Sequence, residues 1–204
     1  MQMNRKIPAV GSAIVTAAVL LFALCLAIDY TFGSYVVCMF LPIGYIMMVS
    51  GFRAECPADR KAAADAGTVF SAIYAVLIFI VYFAQTTTVR LDRLEGQAAL
   101  ILDFRRGGLL FSYDLLGYGM MALSTFFVGL SMRAQNRADK WLKYLLMIHG
   151  TFFAGCFIMP MTGVFSGMAD GETSNGGVAA LLIWCACFLP AGALSLLHFR
   201  RAEA

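Results

Sequence analysis

GTVFSAIYAVLIFIVYFAQTTT, residues 67–88, is 22 residues long, carries no charge, and is apolar until its last four positions. A transmembrane helix needs about 20 mostly apolar residues to cross a hydrocarbon core about 30 Å thick. Five further runs have the same character, so six segments are expected, at 8–28, 35–52, 67–88, 107–132, 141–165 and 177–197. Transmembrane β-strands would be shorter and would alternate, whereas these runs are continuously apolar. The expected fold class is therefore all-α, a polytopic bundle of six transmembrane helices forming one membrane domain over 1–204. Composition agrees, with 61% hydrophobic and 13% charged residues and a mean hydropathy of +0.79, beyond the range of soluble domains.

Lys and Arg set the expected orientation, because basic residues in short loops are retained on the cytoplasmic side. With the N-terminus inside, the inner segments hold Arg5, Lys6, Arg53, Arg60, Lys61, Arg133, Arg137, Lys140, Lys143, Arg200 and Arg201, and the outer loops keep only Arg90, Arg93, Arg105 and Arg106. Both termini are thus expected in the cytoplasm, and the outer loops around Asp29 and Asp170 lack basic residues. The inner basic groups, with Trp141 as an interfacial anchor, are placed to meet anionic lipid headgroups. Scattered along membrane borders, they make no nucleic-acid face. Arg5 and Lys6 before an apolar run suggest a signal sequence, but no small-x-small cleavage site follows and Leu24 precedes Cys25, so an uncleaved signal anchor is expected.

Five of the six cysteines fall inside expected helices, which is no disulfide framework. Cys185 and Cys187 point about 200° apart around a helix and read as packing residues. His149 and His198 are the only histidines, too few for the three protein ligands of a catalytic zinc site. No cofactor or metal is implied, and His149 reads as a structural group near Gly150, bonded to Ser124 or Thr125. There is no Gly-x-Ser-x-Gly and no phosphate loop, which leaves an intramembrane lipid enzyme the least supported class.

An ionisable side chain inside a span is costly and points to function. Asp114 lies about 10 Å below the outer end of the fourth segment at 1.5 Å per residue, and His149 about 12 Å from the inner end of the fifth. The two therefore form no dyad. Asp114, Gly117, Met121, Ser124 and Thr125 share one seam of the fourth segment. Thr68, Ser71, Ala75, Tyr82, Gln85 and Thr86 share one on the third. With Tyr113, Thr162, Asp29 and Tyr30 toward the same outer half, the expected ligand-binding set is Asp114, Tyr113, Gln85, Thr86, Tyr82, Arg90 and Thr162. It describes an outward-facing pocket with Asp114 as its charged group and Arg90 as its counter-ion. The alternative is an Asp that locks helices together, with Thr residues bonded to their own backbone.

The outer loop 89–106 places Leu91, Leu94, Ala98, Ile101 and Leu102 at helical spacing, as in an interfacial helix or lid, although Gly96 interrupts it. Pro42, Pro160 and Pro190 interrupt three segments, and CMFLP at 38–42 resembles CFIMP at 156–160, a hint of inverted three-helix halves.

FSYDLLGYGMMALSTF at 111–126 together with YFAQTTTVR at 82–90 resembles a group of uncharacterised bacterial multi-pass membrane proteins over most of the helical region. The resemblance implies a bacterial inner membrane and brings no activity, ligand or site residue. Two functional classes are thereby expected. One is transport of a small solute or ion, or ligand sensing, through the Asp114 pocket. The other is an accessory subunit whose polar seams bind a membrane partner or a second copy of the chain.

Overall fold

A computed structural model describes residues 3–165 and 175–201, and all regular secondary structure among them is helical. Among the described residues nine α-helices are formed: α1 (Met3–Ala27), α2 (Thr31–Glu55), α3 (Lys61–Thr86), α4 (Thr88–Leu91), α5 (Gly96–Leu102), α6 (Leu109–Ser131), α7 (Arg137–His149), α8 (Phe152–Ile158) and α9 (Asn175–Arg201). Six stretches are long and apolar enough to cross a membrane: Met3–Ala27, Thr31–Glu55, Ala58–Leu91, Leu109–Ser131, Arg137–Thr162 and Val178–Arg201. The chain is a multi-pass membrane protein by this architecture.

The six crossings close into a circuit of neighbours. α1 packs on α2, α2 on α3, α3 on α6, α6 on α7 and α8, α7 on α9, and α9 returns to α1. Each helix turns one stripe outward. On α3 the outward stripe is Val69, Ile73, Val76, Ile80 and Phe83, all exposed apolar residues at helical spacing, as lipid contact demands. The opposite face of α3, with Ser71, Tyr74, Ile78, Tyr82 and Gln85, is buried. At the centre, Tyr45 of α2 meets Tyr74 of α3 at 5.5 Å and Phe188 of α9 at 6.3 Å between ring centroids.

Lipid tails are as apolar as the helices, so close backbone approach and interhelical hydrogen bonds must drive association. Gly11 of α1 and Gly44 of α2 supply the first. A Cβ on Gly11 would stand 2.6 Å from the Gly44 carbonyl oxygen, and one on Gly44 2.7 Å from that of Gly11. Ser124 of α6 supplies the second by donating to the Gly67 carbonyl of α3 at 2.7 Å.

Several boundaries differ from the expected ones. α3 begins at Lys61 rather than 67, because the Ala-rich stretch ahead of the apolar run is also helical. The fifth crossing is not one helix. α7 stops at His149, i→i+3 bonds take over where Thr151 N–H meets the Ile148 carbonyl, and α8 passes into a short 3₁₀ turn at Met159–Thr162. Pro160 therefore stands at the end of its crossing, whereas Pro42 lies inside the unbroken α2. The two Cys-x-x-x-Pro runs are not at equivalent depths, so they lend an inverted repeat no support. Asp170 lies outside the described residues.

The loop 89–106 is no continuous interfacial helix. α4 extends α3 by one turn, and the chain then bends and restarts at Gly96, whose φ of +54° favours glycine. α5 turns Ala99, not Ala98, into the bundle, and Leu91 at the end of α4 is exposed. A 3₁₀ turn at Phe104–Arg106 and a left-handed Gly107 (φ 67°) lead into α6. Together these residues cap the end of the bundle opposite both termini.

Candidate functional site: a buried aspartate under an aromatic cap

Asp114 lies on the buried face of α6, 5% exposed. Its phase follows from the seam: Gly117, Met121, Ser124 and Thr125 are buried with it, Gly117 and Ser124 against α3 and Thr125 toward α7, and on α3 Ser71, Ala75, Tyr82, Gln85 and Thr86 are buried in turn. The two faces thus meet as their spacing suggests. Tyr35 and Cys38 of α2, Tyr74 and Tyr82 of α3, Tyr118 of α6 and Cys156 of α8 are all near enough to feel its charge. Tyr82 is immediately beside it. The surrounding groups are linked to one another: Cys38 Sγ is 3.8 Å from the Tyr118 hydroxyl, and the ring centroids are 5.5 Å apart for Tyr35 and Tyr82 and 5.7 Å for Tyr74 and Tyr118.

Two buried polar atoms in this cluster, Asp114 Oδ1 and the Tyr74 hydroxyl, have no hydrogen-bond partner. A buried polar group without a partner costs about 1–3 kcal/mol, and more if charged. The expected counter-ion is not there. Arg90 Nε donates to the Thr86 carbonyl at 3.1 Å, and its guanidinium lies 4.9 Å from the centroid of the Phe32 ring. Arg105 is held by Asp103, with Nη2 to Oδ2 at 3.2 Å and Nε to Oδ1 at 3.3 Å. That hydrogen-bonded carboxylate also pushes the Arg105 guanidinium further above its ordinary range.

The cap closes the cluster from the end of the bundle. Gln85 Nε2 donates to the Leu102 carbonyl at 2.7 Å, and Gln85 Oε1 accepts from Phe104 N–H at 3.1 Å. This pins Phe104, whose ring sits 6.0 Å from Tyr35, 6.2 Å from Tyr82 and 5.1 Å from Phe111. Gln85 is therefore a fastener of the cap. Thr86 is buried but bonds the Tyr82 and Phe83 carbonyls of its own helix. Tyr113, one residue and thus about 100° round α6 from Asp114, is exposed. Thr162 is exposed and donates to the Met159 carbonyl. Of the expected set, then, Asp114 and Tyr82 are together, Gln85 and Thr86 adjoin them, and Tyr113, Thr162 and Arg90 face elsewhere.

His149 is a satisfied structural group. Trp184 Nε1–H donates to His149 Nε2 at 3.0 Å, so Nδ1 carries the proton toward Thr125 Oγ1 at 2.8 Å, and Thr125 donates on to the Ala122 carbonyl at 2.8 Å. Thr125 lies eleven residues beyond Asp114, about 16 Å along α6, so the two ionisable groups are separate sites.

A second polar cluster went unread in the sequence. At the end of the bundle that holds both termini, Arg5 of α1 pairs with Glu55 of α2 at 3.2 Å, and His198 of α9 lies 2.9 Å from Glu55 through Nε2 and 2.9 Å from Asp139 of α7 through Nδ1. Asp139 also accepts from Gln135 N–H and Asn136 Nδ2, each at 3.1 Å. Four helices meet in it. Alternating topology alone brings residues 5, 55, 139 and 198 to one face, and that was the available signal. Nearby, Cys56 is half-buried, and burial pushes its thiol above the usual range.

Among the described residues no group of three His, Cys, Asp or Glu side chains could hold a metal ion. A surface groove of about 520 Å³ at the terminal end is lined by Asn136, Arg137, Trp141 and Arg201, with Trp141 exposed. Neither protein families, curated proteins nor solved structures provide a match to the chain.

Proposed function

We propose that this protein binds a small solute or ion at Asp114, for transport or for sensing, in a bacterial inner membrane with both termini in the cytoplasm. The observation that carries the reading is the buried Asp114 Oδ1, which has no hydrogen-bond partner and no ion pair among the described residues. A charge left so is expensive unless something is bound, and ionisable groups kept within a span mark pathways and binding sites. The Phe104 cap would govern entry, swinging on the segments next to Gly96 and Gly107. The surplus of Lys and Arg at the terminal end supports the orientation, and the groove at Arg137, Trp141 and Arg201 suits anionic headgroups. An accessory subunit is the second reading, favoured by the hydroxyls of Thr68, Thr86 and Thr162, which bond their own backbone.

Cys38, buried beside the cluster, is a native reporter of access. In a protein whose other five cysteines are replaced by Ala or Ser, a small thiol reagent should modify Cys38 slowly. Gln85→Leu, which removes both bonds from the cap, should speed this at least about tenfold if the net worth of each is about 1 kcal/mol. If Cys38 is inert in both proteins, the interior is sealed packing and the accessory reading replaces this one.

A further inference from the structure

We infer that the ligand is a small organic monocation, a primary or methylated ammonium, that takes the place of a proton on Asp114. The inference rests on the reading of Asp114 as a binding site and adds the class of ligand. The charge requirement comes first. Among the described residues Asp114 is the one carboxyl of the cluster; Arg90 is held by Thr86 and Phe32 and Arg105 by Asp103, while Arg93 and Arg106 of the cap are exposed. The balancing charge must therefore arrive from outside the chain.

The walls decide which cation. Within range of the Asp114 charge are Tyr35 and Cys38 of α2, Tyr74 and Tyr82 of α3, Tyr118 of α6 and Cys156 of α8, with Tyr35 against Tyr82, Tyr74 against Tyr118 and Cys38 against Tyr118. These are four phenol rings and two thiols, with no second carboxylate among the described residues. A hard inorganic cation such as Ca²⁺ wants six to eight oxygen ligands, and this wall offers one carboxyl and a few hydroxyls. Aromatic faces attract an ammonium within about 6 Å, most strongly where water is excluded. The ammonium N–H groups would meet the unpartnered Asp114 Oδ1, and the Tyr74 hydroxyl supplies a further polar contact. Tyr118, although it touches Tyr74, Cys38 and Trp184 from three different helices, keeps accessible surface, as does Tyr35 under the cap.

The exchange balances. In the empty state a proton neutralises Asp114. When the ammonium enters, the O–H bond breaks, one proton leaves to water, and the carboxylate pairs with the cation, so the charge in the site is unchanged.

The Cys38-only protein in detergent gives the test. A neutral methanethiosulfonate would label Cys38 with or without ethylammonium or trimethylammonium, with tert-butanol as the neutral match and with sodium or potassium chloride. The ammonium ions should slow labelling at least about fivefold, while the alcohol and the alkali cations leave it unchanged. The ammonium concentration needed should fall about tenfold per unit of rising pH while the proton must be displaced, each rate being compared with the unprotected rate at the same pH. Asp114→Asn, once shown to be folded by its melting curve, should give no protection. Equal protection by tert-butanol, protection by the alkali cations, or protection that persists in Asp114→Asn would each overturn the ammonium assignment while leaving an accessible Asp114 site intact. Failure of Cys38 to react under any condition instead strikes the binding-site reading itself.

Discussion

The two ends of the bundle hold buried acids under opposite conditions. At the terminal end the Asp139 side chain, 3% exposed, accepts from His198, Gln135 and Asn136, so both of its oxygens are satisfied and its charge is answered. Beneath the cap, Asp114 is equally buried, yet one of its oxygens has no partner. A satisfied ion network ties helices together, because removing any member leaves an unanswered charge. An unsatisfied acid ties nothing at that atom. Holding it costs stability, and such groups cluster where a protein binds something. Assigning structure to the first acid and binding to the second follows from the hydrogen bonding of the two carboxyls, since burial is the same for both; completeness at the terminal end belongs to Asp139 and not to the whole cluster, where Arg5 Nη1 is buried without a partner.

The largest effect should come from breaking the satisfied Asp139 site. Asp139→Ala strips His198 of one carboxylate and removes the side chain that meets Asn136 at the start of α7. The expected loss is about 3 kcal/mol, the usual cost of removing one partner of a buried ion pair, read from unfolding of the purified protein in detergent. Asp114→Leu should stay within about 1 kcal/mol of the wild type, because an apolar side chain removes an uncompensated polar group. Equal losses at the two positions would erase the contrast.

The next effect is one of pH. Both ring nitrogens of His198 face carboxylates, Nδ1 toward Asp139 and Nε2 toward Glu55, and carboxylates only accept. Two such bonds require the imidazolium. Both His198 bonds are therefore made at pH values where His198 is protonated, and one is lost as pH rises through its titration, a loss of about 1.5 kcal/mol for a bond to a charged group. The melting temperature should fall between about pH 5 and pH 8, the range in which histidine commonly titrates. His198→Gln, which has no proton to lose there, should melt lower at the acid end and show no such fall.

The parts of this molecule that could be read from sequence are those whose physics is local. Each crossing announces itself as an apolar run, and the α3 and α6 seams declare which faces meet because helical phase relates residues three, four and seven apart. Phase also explains the failures. Tyr113 sits beside Asp114 in sequence and about 100° away on the helix, and Thr162 falls in a terminal 3₁₀ turn that an apolar run does not reveal. Gln85 looked like a pocket residue because its type and depth were right, but its partners are backbone atoms of Leu102 and Phe104, fixed by a bend at Gly96 that hydropathy does not encode. The His198 network eluded the reading for another reason. Its members are charged residues at helix ends, where topology signals are expected, and only the packing of α9 against both α1 and α7 brings them together.

The smallest effect belongs to the shortest ion pair. Arg53 Nε stands 2.6 Å from Asp65 Oδ1, closer than His198 to either of its acids, but both side chains are about half exposed, at 53% and 51%. Attraction between charges falls with the effective dielectric as well as with distance, and near a solvated surface the dielectric term dominates. Fixing two long side chains in one geometry also costs entropy, which is why exposed pairs contribute about 0–1 kcal/mol. Arg53→Ala should therefore lower stability by less than about 0.5 kcal/mol, Asp65→Ala by a similar amount, and the double variant by no more than the sum, since little coupling exists to lose. High salt should shrink even that difference, while the response of Asp139→Ala to salt should be small because its site is sealed from counter-ions. A loss above about 1.5 kcal/mol for Arg53→Ala would mean that surrounding lipid lowers the local dielectric enough to treat this surface as interior. Completeness of hydrogen bonding would then have to be judged for the bilayer-embedded protein, and the division drawn between the two buried acids would need the same correction.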